Sequence, residues 1–306
     1  MADRCEVLVL GGAGVDTVVY VPELPLPMAD SYHVPAIRTR AGQTGDGVAL
    51  GLTALGARTA LVDVVGDDPE GDLVRALHAR HGVAFTGIAT PAGTKRAVNL
   101  VDPAGRRLSL YDSSRGHEAD RLPVALVADL AAGARHVHVS ITHPCRHALA
   151  TVRASGRTVS TDLHNWDGVE PYHEAFAYEA DIVFLSTAAL SDHGATMRRI
   201  LARGRARVVV ATAGAAGGYV LARGEAAPRR YPAVAPPVPA VDSNGAGDAF
   251  VAGFLLGALA GEPVETCVRY GSVAGAHACT VPSTEVGPID RATLLARSRA
   301  VGTAPA

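Results

Sequence analysis

The segment Ala240-Val241-Asp242-Ser243-Asn244-Gly245-Ala246-Gly247-Asp248-Ala249-Phe250-Val251 carries more structural information than any other part of this chain. Its first four residues read as the end of a buried strand, and the apolar run through Leu256 reads as a helix. Strand, small-residue turn and helix together present backbone N–H groups at the positive end of the helix. Gly245 and Gly247, with Ala246 between them, let that backbone approach a ligand closely, which suits phosphate oxygens or a developing oxyanion. Asp248 would lie beside whatever those groups hold. A carboxylate there repels the anion and so needs a purpose. Taking a proton from a hydroxyl that attacks a phosphoryl group is one.

The segment resembles the C-terminal signature of the ribokinase/PfkB family of carbohydrate and nucleoside kinases, Asp-Thr-x-Gly-Ala-Gly-Asp-x-Phe. Asp242 to Phe250 follows that pattern with Ser243 for threonine. The resemblance implies an α/β fold, a ribokinase-like three-layer α/β/α sandwich with a mostly parallel central sheet and a small β-sheet lid. It also implies ATP as phosphoryl donor, with Mg2+ and a monovalent cation such as K+. Asp248 would be the general base and the Gly245, Ala246 and Gly247 N–H groups the anion hole.

Bulk properties narrow the field. The chain has 306 residues and a net charge of −2, so no basic field argues for nucleic acid or an anionic membrane surface. Hydrophobic residues make up 48%, yet no apolar run approaches the ~20 residues of a membrane span. The N-terminus enters a short strand directly and lacks a signal-peptide pattern. Cys5, Cys145, Cys267 and Cys279 form no CxxC pair, as expected of reduced thiols in a cytoplasmic protein. Lys95 is the only lysine, and Gly93-Thr94-Lys95-Arg96 does not fit a P-loop; Asp-Phe-Gly is also absent. If this chain transfers phosphate, it does so without either lysine-based scheme.

Along the chain, Glu6 to Leu10 reads as a buried strand ending at Gly11-Gly12. A helix is predicted from near Asp46 to Gly56, then a strand from Thr59 to Val65. Asp68-Pro69 opens a second helix that Gly82 closes. Strands at His136 to Ser140, Thr158 to Asp162, Asp181 to Leu185 and Arg207 to Ala211 alternate with helices, which predicts a parallel sheet covered on both faces. Segments of about 17–40 and 94–113 are strand-like without helices, and the second turns at Asp102-Pro103-Ala104-Gly105. By resemblance they form the lid, which often dimerises. Residues 1–306 then make one kinase domain.

Several other residues gain roles from the resemblance. Asp16, after Gly11-Gly12-Ala13-Gly14-Val15, would bind substrate hydroxyls; a carboxylate can accept from two vicinal hydroxyls. Gly42, Gln43 and Asp46 would also bind substrate, with hydroxyl recognition through Gln43 and Asp46; they lie in a variant of the family's N-terminal signature, whose asparagine is replaced by Asp46 or Gly47 depending on a one-residue gap. Thr212, Gly214 and Gly217 are similar to a turn that contacts ATP, and Ser272 falls where relatives place a polar residue near adenine. Asp242 and Asn244, with the Thr280 to Ser283 loop, align with a monovalent-cation site. Many relatives carry Asn-x-x-Glu for magnesium and phosphate where this chain has Ser186-Thr187-Ala188-Ala189, so either Asp162 and water complete the magnesium shell or magnesium handling is altered.

The remaining candidates have plainer readings. His136, His138, His143, His147 and His164 lack a carboxylate or thiol cage and read as hydrogen-bonded histidines rather than a metal site. His143, His164 and Trp166 follow strand ends and could edge a pocket. Lys95, Arg96, Arg106 and Arg107 could meet a substrate phosphate or form a solvated strand face. The expected reaction is ATP-dependent phosphorylation of a hydroxyl on a small sugar or sugar-like acceptor. A nucleoside kinase of the same fold and a non-catalytic sugar sensor remain as alternatives.

Overall fold

The computed structural model describes residues 5–116, 118–282 and 285–302. The chain begins with β1 (Val7–Leu10), β2 (Val15–Tyr20), β3 (Ile37–Ala41), α1 (Thr44–Ala54), β4 (Thr59–Val65), α2 (Pro69–His81) and β5 (Ala84–Ala89). Next come β6 (Arg96–Val101), β7 (Arg107–Tyr111), α3 (Val124–Gly133), β8 (His136–Ser140), α4 (His143–Ala154), β9 (Thr158–Asp162) and α5 (Pro171–Glu179). The last part holds β10 (Ile182–Ser186), α6 (His193–Arg203), β11 (Val208–Thr212), β12 (Gly218–Ala222), β13 (Arg229–Tyr231), α7 (Ala246–Leu259), α8 (Val264–Ala278) and α9 (Arg291–Gly302).

Two sheets result. The larger runs β13-β12-β11-β10-β9-β8-β1-β4-β5, parallel from β5 to β11 and antiparallel at β12 and β13. One apolar layer packs α1, α2, α7 and α8 on one face, and another packs α3 to α6 on the other. The strand order reverses at β1, with β4 on one side and β8 on the other. That reversal opens a crevice at the carboxyl ends of the strands, where α/β folds bind ligands. The smaller sheet, ordered β3-β2-β6-β7, is the lid.

Local chemistry explains most boundaries. Asp68 caps α2, its Oδ1 accepting from Gly71 N at 2.8 Å, and Gly82 ends it at φ 72°. The strands expected at Thr59, His136 and Thr158 begin and end as read, and the others shift by one residue. One expectation fails: Ala240 to Ser243 is not a strand. Val241 is exposed, and its N–H reaches Cys279 O at 2.8 Å, so this segment hangs on the end of α8 instead of joining the sheet.

Candidate active site

Helix α7 points its N-terminus at the carboxyl edge of the sheet. Gly245 caps it at φ 74°, a conformation that favours glycine. Ala246 N donates to Ser243 O at 3.2 Å, so this expected anion-hole donor is already engaged in the turn. Gly245 and Gly247 have no such intrachain bond among the described residues. Asp248 follows in the first turn and is half-buried against α1. Burial, together with the Asp162 carboxylate nearby, pushes its pKa well above the ordinary range, and Arg107 partly opposes the shift. A base held back in this way binds a proton more tightly than a solvated carboxylate, which suits it to a hydroxyl.

Asp248 lies against α1. A Cβ on Gly47 would stand 2.7 Å from Asp248 Oδ2, so the glycine at this position makes room for the carboxylate. Asp46, by contrast, is wholly buried and committed to its own chain. Its Oδ2 accepts from Gly14 N at 3.1 Å and Gln43 N at 2.9 Å, and its Oδ1 meets His78 Nε2 at 2.7 Å. The expectation that Asp46 offers a carboxylate to substrate is therefore corrected: it is a hub that fixes Gly14 and Gln43. His78, which no sequence signal marked, completes that hub.

Asp16 lies in β2 with its side chain toward the body. Burial raises its pKa to about 6, while Arg40, Arg107 and a hydrogen bond from Gln43 pull in the other direction. Gly42 N donates to Gly14 O at 3.0 Å, which brings the 42–43 turn against the 11–14 turn. Asp16, Gln43 and Asp248 thus share one electrostatic neighbourhood with Arg40 and Arg107.

Two adjoining clefts flank this centre. The larger, about 570 Å³, is lined by all four residues expected to bind nucleotide, Thr212, Gly214, Gly217 and Ser272, together with Asp242 and Gly247. A second, about 360 Å³, is bounded by Arg107, Asp162, His164, Ser186, Thr212 and Gly247. Thr212 and Gly247 belong to both, so the two spaces meet at the start of α7.

The expected cation residues are less open than the sequence suggests. Asp242 is buried; it accepts from Asn244 N at 2.9 Å and from Tyr20 OH at 3.2 Å. Asn244 Oδ1 accepts from the Arg107 guanidinium, which places positive charge where a potassium ligand was expected and leaves Asn244 its backbone carbonyl. Ser283 lies outside the described residues. Among those described, no group of three or more His, Cys, Asp or Glu is placed to hold a metal. Asp162 is the carboxylate that lines the second cleft.

The histidines of β8 are structural. His136 Nε2 and His138 Nδ1 share Ser160 Oγ at 2.7 and 2.8 Å, and burial lowers both to about 3, so they are neutral. Trp166 is packed, its Nε1 donating to Glu170 O, and His143 stacks edge-on against Tyr172. Of the lid cations, Lys95 pairs with buried Asp63, Arg96 with Asp112 and Arg106 with Asp102. Arg107 alone of the four lines the site. Arg40 was missed because only the strand pairing shows that it stands directly across from Asp16.

This geometry is that of a phosphotransferase built on a ribokinase-like frame. The pfkB family carbohydrate kinase model matches residues 5–290, and the chain belongs to that family. It is similar to the acarbose 7(IV)-phosphotransferase of an Actinoplanes species, 66% identical over 295 residues, covering 96% of this chain and 99% of the relative. The structure of the microbiome-derived acarbose kinase Mak1 superposes with a TM-score of 0.91 at 45% identity, covering 97% of this chain and 99% of that one. Arabidopsis thaliana ribokinase, complexed with ribose and ATP, shares the fold at a TM-score of 0.78 and 20% identity over 97% of this chain and 99% of its own. The chain is an ATP-dependent carbohydrate kinase. No helix among the described residues is long and apolar enough to cross a membrane.

Proposed function

We propose that the chain transfers the γ-phosphoryl group of ATP to acarbose, at the 7 position of ring IV. The observation that carries the mechanism is the position of Asp248, next in sequence to Gly247, which lines both clefts, and beside Gly47 of α1. The choice of acceptor follows from full-length likeness to two acarbose kinases. Asp16 and Gln43, with Gly42 bringing their turn into place, orient the acceptor. Asp248 takes the hydroxyl proton as the acceptor oxygen bonds to the γ-phosphorus and the bond to the β-phosphate oxygen breaks, releasing ADP. Gly245 and Gly247 N–H groups meet the charge on the transferred group, and Ala246 holds the turn.

Thr212, Gly214, Gly217 and Ser272 hold the nucleotide. Magnesium, when bound, neutralises phosphate charge, with Asp162 the carboxylate placed to orient it. Asp242 and the Asn244 carbonyl would hold a potassium ion behind the turn. The lid, segments 17–40 and 94–113 of a single kinase unit, excludes water from the acceptor. The cytoplasm is the compartment proposed, since all four cysteines are unpaired thiols.

The outward face of the lid carries Val19, Ile37, Val98, Leu100, Leu108 and Leu110 by strand register, and Ile37, Leu108 and Leu110 are exposed. An open apolar face of this kind supports homodimerisation through the lid. The acceptor assignment is tested by ATP turnover on acarbose, ribose and adenosine, with the product located by phosphorus NMR. Turnover of acarbose above the others is expected; preference for adenosine would favour a nucleoside kinase, and silence on all three would sink the acarbose assignment.

A further inference from the structure

We propose that Arg107 is a catalytic cation, an arginine that the lid supplies to the phosphoryl group in transit between ATP and acceptor. The inference rests on the assignment of the 245–248 turn above and adds a residue that assignment does not include. Arg107 opens β7, the edge strand of the lid, and register puts it in one inward-facing row with Val101 and Tyr20. Its guanidinium crosses from lid to body and donates to Asn244 Oδ1, immediately ahead of Gly245. It forms one wall of the cleft that also contains Asp162, Thr212 and Gly247. Its charge bears on both Asp248 and Asp16, the proposed base and acceptor carboxylates.

The rest of that cleft explains why a cation is needed. Strand β10 ends in Ser186, followed by Thr187 and Ala188, so this wall brings no charge. Phosphoryl transfer spreads negative charge over three equatorial oxygens, and a planar guanidinium fork matches two of them at once. Lys95, Arg96 and Arg106 are each paired with a carboxylate away from the cleft. Because β7 belongs to the lid sheet, this cation is delivered to the cleft from the lid side, opposite the α7 turn.

The test begins with wild-type protein on a panel of acceptors, and the variants are assayed with whichever it turns over best. Failure of acarbose as substrate therefore leaves this test intact. Arg107→Ala should lower kcat about 10³-fold while KM for acceptor and for ATP each move less than about threefold. Added guanidinium should restore part of that lost rate. Arg107→Lys should recover little, since it keeps the charge without the fork. The proposal is overturned if Arg107→Ala keeps kcat within about threefold, if its loss lies in acceptor KM alone, or if guanidinium leaves its rate unchanged. Activity surviving in Asp248→Asn would overturn the base assignment, a separate failure.

Discussion

Two carboxylates at the centre of the site are held above their ordinary pKa, and each shift has a measurable consequence. For Asp248 the proton must be absent before the acceptor hydroxyl can be deprotonated. The rate should therefore fall on the acid side through a limb well above the usual carboxylate range. A pH–rate profile that stays flat down to about pH 4 would contradict this. For Asp16 the folded-state value is about 6 against 3.8 unperturbed. Its stabilising, protonated form is complete below about 3.8 and is lost as pH rises through about 6, an effect of at most roughly 3 kcal/mol. Asp16→Asn should accordingly melt higher than wild type near pH 8, with the difference vanishing near pH 4, while acceptor KM rises. Equal melting at both pH values would show that Asp16 carries no burial penalty. The glycines and Asp248 were legible in sequence because phosphate chemistry demands those residue types at that spacing. The Arg40 and Arg107 contributions were not, because nothing in a single strand says which face or which partner it will meet.

At the scale of elements, α1 and α7 touch through glycines. Gly47 leaves room for Asp248, and one turn later a Cβ on Gly51 would lie 2.7 Å from Ala252 Cβ. Gly51→Ala should overpack this crossing and cost about 1–3 kcal/mol in denaturant unfolding, with kcat little changed. Gly47→Ala should act mainly on kcat by displacing the base. If both variants lost only stability, Gly47 would be a packing residue and nothing more. The helices and strands themselves were largely readable. Asp68-Pro69 and Gly82 bracket α2 because capping is local chemistry. The 240–243 segment was misread because Ala-Val before a turn has the composition of a strand end. Its partner is instead the Cys279 carbonyl at the end of α8, a contact distant in sequence.

At the scale of the whole molecule, a nine-stranded sheet reverses its order at β1, and a four-stranded lid closes over that crevice. The alternation of strands and helices announced the first, and the helix-free segments announced the second. The pairing of β2 with both β3 and β6 needed the structure. If the lid's outer apolar face joins two copies, Leu108→Asp with Leu110→Asp should convert a dimer to a monomer by light scattering. A wild-type monomer would dismiss that interface. The central claim, that Asp248 activates a sugar hydroxyl for attack on ATP, has its most direct test in the acarbose turnover of Asp248→Asn, with ATP affinity determined on the same sample. With Asp248 as the base, kcat should fall about 10²–10⁴-fold while ATP binding stays nearly unchanged. Turnover equal to wild type would contradict it.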